Sequence, residues 1–297
     1  MFYYTAGLDN PISDIHPLVL WNIDTQEMKF TDKKINTGDI NVSYVDEGQH
    51  KGIPLIFIHG FPFTKAMWEN QIDECKEHYR VIAYDIRGYG NSDLGTHDYS
   101  IAQCAEDLFL FMDALQIEKA FICGLSMGGY IALNALLQGP KRIAALILCD
   151  SQCLPDNNVS KKKRMDSITS IQEKGLAEYT HDSLMKLFSE TSLANKKETV
   201  SFVKQTILDA RIESICKTLM ALAERKETCS ALHLINIPVL IIVGEEDQIT
   251  TPEVAKRMHE LIPGSKLYVI ENAGHLSNLE NPESFNLQLQ KFLKGIA

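Results

Sequence analysis

The sequence lacks three features, and each absence excludes a class of protein. Its longest apolar runs fall well short of the ~20 residues that a membrane-spanning helix needs, so no membrane protein is expected. Basic residues are in the minority, 29 against 39 acidic ones for a net charge of −10, and nucleic-acid binding would need the reverse. The opening segment, MFYYTAGLDNPISDIHPLVL, lacks a basic start and an unbroken apolar stretch, so no signal peptide is predicted.

The cysteines are few, and their spacing is not that of a metal-binding site. The chain has seven cysteines, an odd number without the close pairs typical of zinc sites. Cys123 and Cys149 fall inside apolar, strand-like runs, where a free thiol behaves as a small hydrophobic side chain. We therefore expect no disulfide framework and no metal site, and the reducing cytoplasm as the location.

The remaining composition is that of an ordinary globular protein. At 297 residues, with 45% hydrophobic and 23% charged residues, the chain can bury a full core as one large α/β domain or two smaller ones. The acidic excess mainly promotes solubility. Composition thus predicts neither nucleic acid nor membrane as a partner, and it leaves the oligomeric state open.

Strand-like and helix-like segments alternate in the first half of the chain. Two segments of alternating polarity, MKFTDKKI and INVSYVDEG, predict a hairpin around Gly38. Continuous apolar runs predict strands buried on both faces, in IPLIFIHG, KAFIC and RIAALILCD. The amphipathic segment SIAQCAEDLFLFMDAL predicts a helix. Such alternation indicates a mostly parallel sheet with right-handed crossovers.

The alternation stops after the last of these strands and resumes about 80 residues later. The patterns between are helical, as in HDSLMKLFSE and RIESICKTLMALAERKE, and the next apolar strand is IPVLIIVGEED. Pro252 and Pro282, each at a first helical position, begin the last two helices. The predicted parts are an N-terminal extension of unknown role (1–27), an α/β core (28–150 and 230–297) and a helical cap (151–229).

One serine stands between two glycines where a strand meets a helix. In FICGLSMGGYIAL, Ser126 follows an apolar strand pattern and precedes a helical one. This Gly-x-Ser-x-Gly arrangement forces the serine into a strained, exposed turn, and the N-terminus of the next helix supplies N–H groups beneath it. The alternative is a plain glycine-rich turn. A base and an acid later in the chain decide between the two.

A histidine and an aspartate follow in the order that serine chemistry requires. His275, in ENAGHLSNLENP, is the candidate base, because a serine hydroxyl is a weak nucleophile until its proton is taken. Asp247, in GEEDQITTP just after a strand, is the candidate acid that orients the histidine. Asp150, at the end of an earlier strand, is its main rival. Glu245 and Glu246 are expected to be solvated turn residues.

Together these motifs resemble the α/β-hydrolase fold family, in particular its compact serine esterases and enol-lactonases, over about residues 28–297. HGFP resembles the family's oxyanion loop, DIRGYGNSD its glycine-rich segment, GLSMGG its nucleophile elbow, and GEEDQITTP and AGH its acid and base loops. The resemblance implies a mostly parallel, eight-stranded α/β-hydrolase sheet flanked by helices, with a helical cap inserted after the sixth strand. It also implies that His59 shapes the oxyanion loop and that Asp85 and Arg87 tie loops together.

The resemblance further implies an activity and the residues that perform it. Ser126 is implied as the nucleophile, His275 as the base and Asp247 as the acid of a catalytic triad. The backbone N–H groups of Phe61 and Met127 are implied as the oxyanion hole. The expected protein is a carboxylic ester hydrolase that cleaves a small ester or lactone through an acyl-enzyme. It needs no cofactor and no metal, and that small molecule is its partner.

The same motifs exclude some relatives and leave other interpretations open. Haloalkane dehalogenases and epoxide hydrolases use an aspartate nucleophile where this chain has Ser126, and proline iminopeptidases typically carry tryptophan where it has Met127. The triad could instead serve carbon–carbon bond hydrolysis, thioester hydrolysis or perhydrolysis. From another class, a ligand-sensing receptor with little turnover stays possible, because a fold alone does not fix a function.

Overall fold

The centre of the molecule is one sheet of eight strands. The computed structural model describes residues 29–49 and 51–296, so the predicted extension 1–27 lies outside the described residues. The strands are β1 (Lys33–Asn36), β2 (Asn41–Gly48), β3 (Leu55–Ile58), β4 (Arg80–Tyr84), β5 (Ala120–Leu125), β6 (Ile143–Cys149), β7 (Val239–Gly244) and β8 (Lys266–Ile270). Their order in the sheet is β1-β2-β4-β3-β5-β6-β7-β8. Strand β2 is antiparallel to both of its neighbours, β1 and β4, and all other neighbouring strands are parallel. The predicted α/β fold class is confirmed.

Helices cover both faces of this sheet. They are α1 (Glu69–Cys75), α2 (Ile101–Ala114), α3 (Met127–Gln138), α4 (Asn158–Lys174), α5 (Ala177–Leu187), α6 (Glu190–Asn195), α7 (Lys197–Leu208), α8 (Ile212–Glu224), α9 (Pro252–Leu261), α10 (Ser277–Glu280) and α11 (Pro282–Lys294). Helices α2, α3 and α9 pack on one face, and α1 and α11 on the other. Strands β3, β5 and β7 are therefore buried along their whole length. In the part of the chain described, no helix is long and apolar enough to cross a membrane.

The hairpin turn and the helix starts lie where the sequence predicts them. β1 and β2 form the predicted hairpin, with Gly38 in its turn at φ 102°. Ser100 caps α2, because its Oγ accepts the N–H of Gln103 at 3.0 Å. Pro252 and Pro282 are the first residues of α9 and α11, as predicted.

Five helices, α4 to α8, lie between β6 and β7. We call residues 158–224 the helical insert. As predicted, no strand interrupts this segment. Helix α4 packs against α8 around a small apolar cluster, formed by Ile171, Leu176, Ile215, Cys216 and Leu219. The division of the chain into a core and a cap at residues 150 and 230 stays a prediction.

A disulfide joins the two chain segments that flank this insert. Cys153 follows β6, Cys229 precedes β7, and the two are 76 positions apart with a Cα–Cα distance of 4.9 Å. The prediction that the chain has no disulfide is therefore wrong. The physical reason is that β6 and β7 are neighbours in the sheet, so the chain that leaves β6 and the chain that returns to β7 meet. The cytoplasmic location, which partly rested on free thiols, stays a prediction.

Replacement of Cys229 by serine is expected to lower the free energy of unfolding by about 4 kcal/mol. The disulfide closes a long loop, and its loss releases that loop's entropy in the unfolded chain. Calorimetry should show a fall in Tm of about 10 °C, and a reductant should reproduce it in the unchanged protein. Cys216→Ser, which removes a thiol outside any disulfide, is the control with a smaller effect. A Tm unaffected by both Cys229→Ser and reductant would contradict the prediction.

Candidate active site

Ser126 occupies a tight turn between β5 and α3. The strand ends one residue before it and the helix begins one residue after it, as predicted. Its backbone has φ 52° and ψ −111°, a strained conformation for a residue with a side chain. A Cβ at Gly124 would lie 2.3 Å from the backbone of Gly128, and one at Gly128 would lie 2.3 Å from the carbonyl oxygen of Ile58. Both glycines are thus required for the helix to start this close to the sheet.

The ring of His275 joins this serine to a carboxylate. His275 lies in the loop between β8 and α10 and is buried. Its Nε2 is 2.8 Å from Oγ of Ser126, and its Nδ1 is 2.8 Å from Oδ2 of Asp247. The loops that carry these residues follow β5, β7 and β8, and parallel strands present their carboxyl ends at one edge of a sheet. The three residues singled out in the sequence are therefore brought together.

The loop after β7 holds the carboxylate of Asp247. Oδ1 accepts the N–H groups of Ile249 at 2.7 Å and Thr250 at 2.9 Å, and Oδ2 accepts the Thr250 hydroxyl at 2.6 Å. The same hydroxyl lies 3.2 Å from Nδ1 of His275. Sequence reasoning missed Thr250. Its signal is an aspartate followed by threonine three positions later, a spacing at which side chain and backbone bond locally.

These contacts set the charges of the pair. Burial alone would raise the pKa of Asp247, but the charge of His275 and hydrogen bonds from His275 and Thr250 lower it to about 2. Burial alone would lower the pKa of His275, but the charge and hydrogen bond of Asp247 raise it above its ordinary value. Asp247 is therefore a carboxylate near neutral pH. It holds the ring proton on Nδ1, so the lone pair of Nε2 faces the serine hydroxyl.

Asp150, the rival for the acid, bonds to other groups. Its Oδ1 accepts the N–H of Gly244 at 2.8 Å, and its Oδ2 accepts the hydroxyl of Ser277 at 2.5 Å. Burial, together with the nearby charge of Asp247, raises the pKa of Asp150 well above its usual range. The ring of His275 thus contacts Asp247 and not Asp150.

Both ring nitrogens of His59 form hydrogen bonds with backbone atoms. Its Nδ1 lies 2.8 Å from the carbonyl oxygen of Gly60, and its Nε2 accepts the N–H of Ile86 at 2.9 Å. Burial lowers the pKa of His59 to about 4. The ring is therefore neutral and ties its loop to the chain after β4, in line with the structural role predicted for it.

Asp85 and Arg87 lie in two buried ion pairs beside the site. Asp85 accepts the N–H of Lys65 at 2.8 Å through Oδ1 and the Lys65 ammonium at 2.7 Å through Oδ2. The guanidinium of Arg87 donates to both oxygens of Asp107, at 2.5 and 2.7 Å. These pairs connect loops at the end of β4 to neighbouring elements, and neither contacts the serine.

A cavity of about 360 Å³ opens between this site and the helical insert. Ser126, His275, Phe61 and Met127 line it, so the two residues proposed from the sequence for the oxyanion hole face the same space as the serine. On the side of the insert, its lining includes Asp156, Lys163, Arg164, Tyr179, Lys186 and Leu219. A larger cavity of about 540 Å³ contains none of Ser126, His275 and Asp247.

Comparison with known proteins shows the family to which the chain belongs. A family model for the alpha/beta hydrolase fold matches residues 53–282. A 3-oxoadipate enol-lactonase of Acinetobacter baylyi is 30% identical over 256 residues, which are 86% of this chain and 94% of that protein. A pimeloyl-[acyl-carrier protein] methyl ester esterase of Aliivibrio fischeri is 27% identical over 82% of this chain and 94% of its own length.

Solved structures give the same result. A thermophilic esterase from Thermogutta terrifontis, solved with malate bound, superposes with a TM-score of 0.85 and 31% identity over 90% of this chain and 99% of that one. The enol-lactonase from Burkholderia xenovorans LB400 shares the fold, with a TM-score of 0.82 and 23% identity over 88% of this chain. With the matched residues covering most of its length, the chain belongs to the α/β-hydrolase fold family.

Proposed function

We propose that this protein is a serine hydrolase that cleaves a small carboxylic ester or lactone through an acyl-enzyme. The observation that carries the proposal is the hydrogen-bonded chain from Ser126 through His275 to Asp247, with 2.8 Å at both contacts of the ring. A hydroxyl, an imidazole and a carboxylate in this order activate serine for attack on a carbonyl carbon. The enol-lactonase and esterase relatives support an ester or lactone as the substrate.

In the first half-reaction the serine becomes acylated. Nε2 of His275 takes the hydroxyl proton as Oγ of Ser126 bonds to the carbonyl carbon, whose π electrons move to its oxygen. The N–H groups of Phe61 and Met127 stabilise that oxyanion, and Asp247 stabilises the imidazolium. The oxyanion then collapses, the bond to the leaving oxygen breaks, and His275 gives that oxygen its proton.

In the second half-reaction water releases the acyl group. His275 takes a proton from water as the water oxygen attacks the acyl carbon, and the same oxyanion donors act again. Collapse breaks the bond to Oγ, which regains its proton from His275. With a lactone the leaving alcohol stays attached to the acyl chain, so one hydroxy acid is the product.

The helical insert acts as a cap over the serine, and the cavity beneath it indicates which acyl groups fit. The lining of this cavity has three cationic side chains, Lys163, Arg164 and Lys186, and one carboxylate, Asp156. That carboxylate is already shared by Arg164 and Arg225. The remaining positive charge favours a substrate with an anionic group, because opposite charge near a cleft raises local concentration and affinity.

The two lysines of the cavity are not paired with a carboxylate in the part of the chain that the structure describes. Lys163 and Lys186 form no ion pair among the described residues, while Lys162, Lys174 and Lys217 of the same insert each pair with a carboxylate four positions away. Among the unpaired lysines of the insert, Lys163 and Lys186 are those that line this cavity, in a chain of net charge −10. The relatives support the same substrate class, since one is named for a lactone of the dicarboxylate 3-oxoadipate and another holds malate.

A substrate pair that differs in one carboxylate tests this class. The 4-nitrophenyl monoester of glutaric acid should be hydrolysed with a higher kcat/KM than 4-nitrophenyl hexanoate. In Lys163→Met/Lys186→Met that advantage should fall by roughly 5- to 30-fold, since an exposed ion pair contributes up to ~1 kcal/mol, while the hexanoate rate changes by less than about twofold. Added salt should weaken the preference of the unchanged protein.

Lys161→Met is the matched control, since Lys161 lies exposed on the same helix outside the cavity lining. It should leave both rates unchanged. Equal loss on both esters in the double variant, or a preference for hexanoate in the unchanged protein, would rule out an anionic substrate.

Turnover itself separates the hydrolase from the receptor alternative. We expect the purified protein to open short lactones and to release 4-nitrophenol from short 4-nitrophenyl esters over many cycles. Isothermal calorimetry that detects binding of these compounds without product formation would favour the receptor. Comparison of kcat/KM between the ester and lactone series would then identify the better substrate class.

A further inference from the structure

A buried carboxylate outside the hydrogen-bonded chain holds the loop of His275. Glu280 ends α10, five positions after His275, and is 1% exposed. Its Oε1 accepts the N–H groups of Gly274 at 2.9 Å and Leu276 at 3.2 Å, the residues on either side of the histidine. Its Oε2 accepts the N–H of Ser189 at 2.8 Å. Three backbone donors therefore meet on one carboxylate.

The third of these donors belongs to the helical insert. Ser189 lies between α5 and α6, and the carbonyl oxygen of nearby Leu187 accepts the N–H of His275 itself at 2.8 Å. A Cβ at Gly274 would lie 2.8 Å from backbone atoms of both Phe188 and Ser189. The backbone of the insert thus lies directly on the loop that carries the histidine.

We propose that Glu280 is a positioning residue, which fixes the place of His275 and links the loop of this histidine to the helical insert. The inference rests on the proposed function, in which His275 is the base. Because Glu280 holds the backbone on both sides of the histidine, the ring reaches Asp247 and Ser126 at the same time. A displacement of ~1 Å at a reacting group can cost about 100-fold in rate, so this support contributes to kcat.

The charge of Glu280 acts on the ring as well. Burial lowers the pKa of His275, whereas the nearby carboxyl groups raise it, above all that of Asp247, with smaller contributions from Asp150 and Glu280. These three carboxyl groups come from the loop after β7, the end of β6 and α10. Across the cavity lie Asp156, two residues before the insert, and Lys163, Arg164 and Lys186 of the insert. Removal of the Glu280 charge alone therefore lowers the pKa of His275.

Glu280→Gln tests both effects with a side chain of nearly the same shape. Its amide oxygen can still accept the N–H groups of Gly274 and Leu276, but its NH₂ cannot accept from Ser189 and carries no charge. On a short neutral ester we expect kcat to fall by about 10- to 100-fold, with KM changed by less than about threefold. Because the neutral ring is the active form, the rise of kcat/KM with pH should move to lower pH.

Glu283→Gln is the matched control, an exposed glutamate three positions further along. It should change neither the rate nor the pH profile. Titration of the His275 ring by NMR measures the same pKa without turnover, so it tests the role of Glu280 even if no ester proves to be a substrate. An unchanged pKa of His275 in folded Glu280→Gln would overturn the proposal.

A second pair of variants tests the link to the insert and leaves Glu280 in place. Ser189 has φ −64° and ψ 156°, and Phe188 before it has ψ 151°, so proline fits the backbone there. Ser189→Pro removes the N–H that Glu280 accepts, whereas Ser189→Ala keeps it, and both lose the hydroxyl that caps α6. We expect kcat of the proline variant to be about 3- to 10-fold below that of the alanine variant. Equal kcat values would show that the insert does not support the base.

Discussion

Ser126→Ala is expected to lower kcat for ester hydrolysis by roughly 10³–10⁶-fold and to leave the fold intact. Alanine lacks the oxygen that bonds to the carbonyl carbon. It keeps a Cβ in the same strained turn, so the structural demand on Gly124 and Gly128 is unchanged. The residual rate would come from the oxyanion donors and substrate binding alone. Steady-state kinetics with a short 4-nitrophenyl ester, together with the Tm, measure both parts of the prediction.

A fluorophosphonate probe gives a second measurement of the same prediction. It should label the unchanged protein on one serine and fail to label Ser126→Ala. Ser183 lines the same cavity, but its hydroxyl donates to the carbonyl oxygen of Tyr179 at 2.7 Å and contacts no histidine among the residues that the structure describes. Ser183→Ala should therefore retain labelling and most of the rate. Labelling that survives in Ser126→Ala would locate the reactive serine elsewhere.

The candidate site could be predicted from the sequence because each of its parts lies in a short motif directly after a strand. Ser126, Asp247 and His275 follow β5, β7 and β8, and parallel strands present such loops at one edge. Local pattern and chain order therefore suffice to assemble the three. They do not suffice to choose the acid, since Asp150 follows β6, the neighbour of β7. Only the side-chain directions distinguish Asp247.

The disulfide could not be predicted, because no local pattern records it. Cys153 and Cys229 are 76 positions apart, and they meet only because the strands on either side of the helical insert are neighbours in the sheet. Each cysteine on its own resembles the free thiols of the chain. Pairing over such a distance depends on the three-dimensional path of the insert, which the spacing of apolar residues along the sequence does not specify.

Glu280 was missed for a related reason. Its partners are three backbone N–H groups, one of them in the distant insert, and a backbone donor has no residue type that a sequence could reveal. The buried state of Glu280 is also contrary to expectation, since glutamate is rarely buried without a partner. Such residues become visible only when the loop that they hold is seen.

Asp247→Asn is expected to lower kcat by about 10⁴-fold, because it reverses the tautomer of His275. In the structure Oδ1 accepts two N–H groups, from Ile249 and Thr250. The amide oxygen of asparagine takes that position, so its NH₂ occupies the place of Oδ2 and donates to Nδ1 of His275. The ring then carries its proton on Nε2 and presents an N–H, instead of a lone pair, to Ser126.

Asp150→Asn is the matched control for this prediction. Asp150 lies buried one strand away, and its raised pKa favours the neutral carboxyl, which an amide resembles in shape and charge. An asparagine there can still accept the N–H of Gly244 and bond to the Ser277 hydroxyl, so kcat should fall by less than about tenfold. The two variants are compared by kcat/KM and by the rate of fluorophosphonate labelling at matched Tm. If Asp150→Asn proved the more harmful of the two, Asp247 would not be the acid, and the hydrogen bond that it makes to His275 would serve the structure of the loop alone.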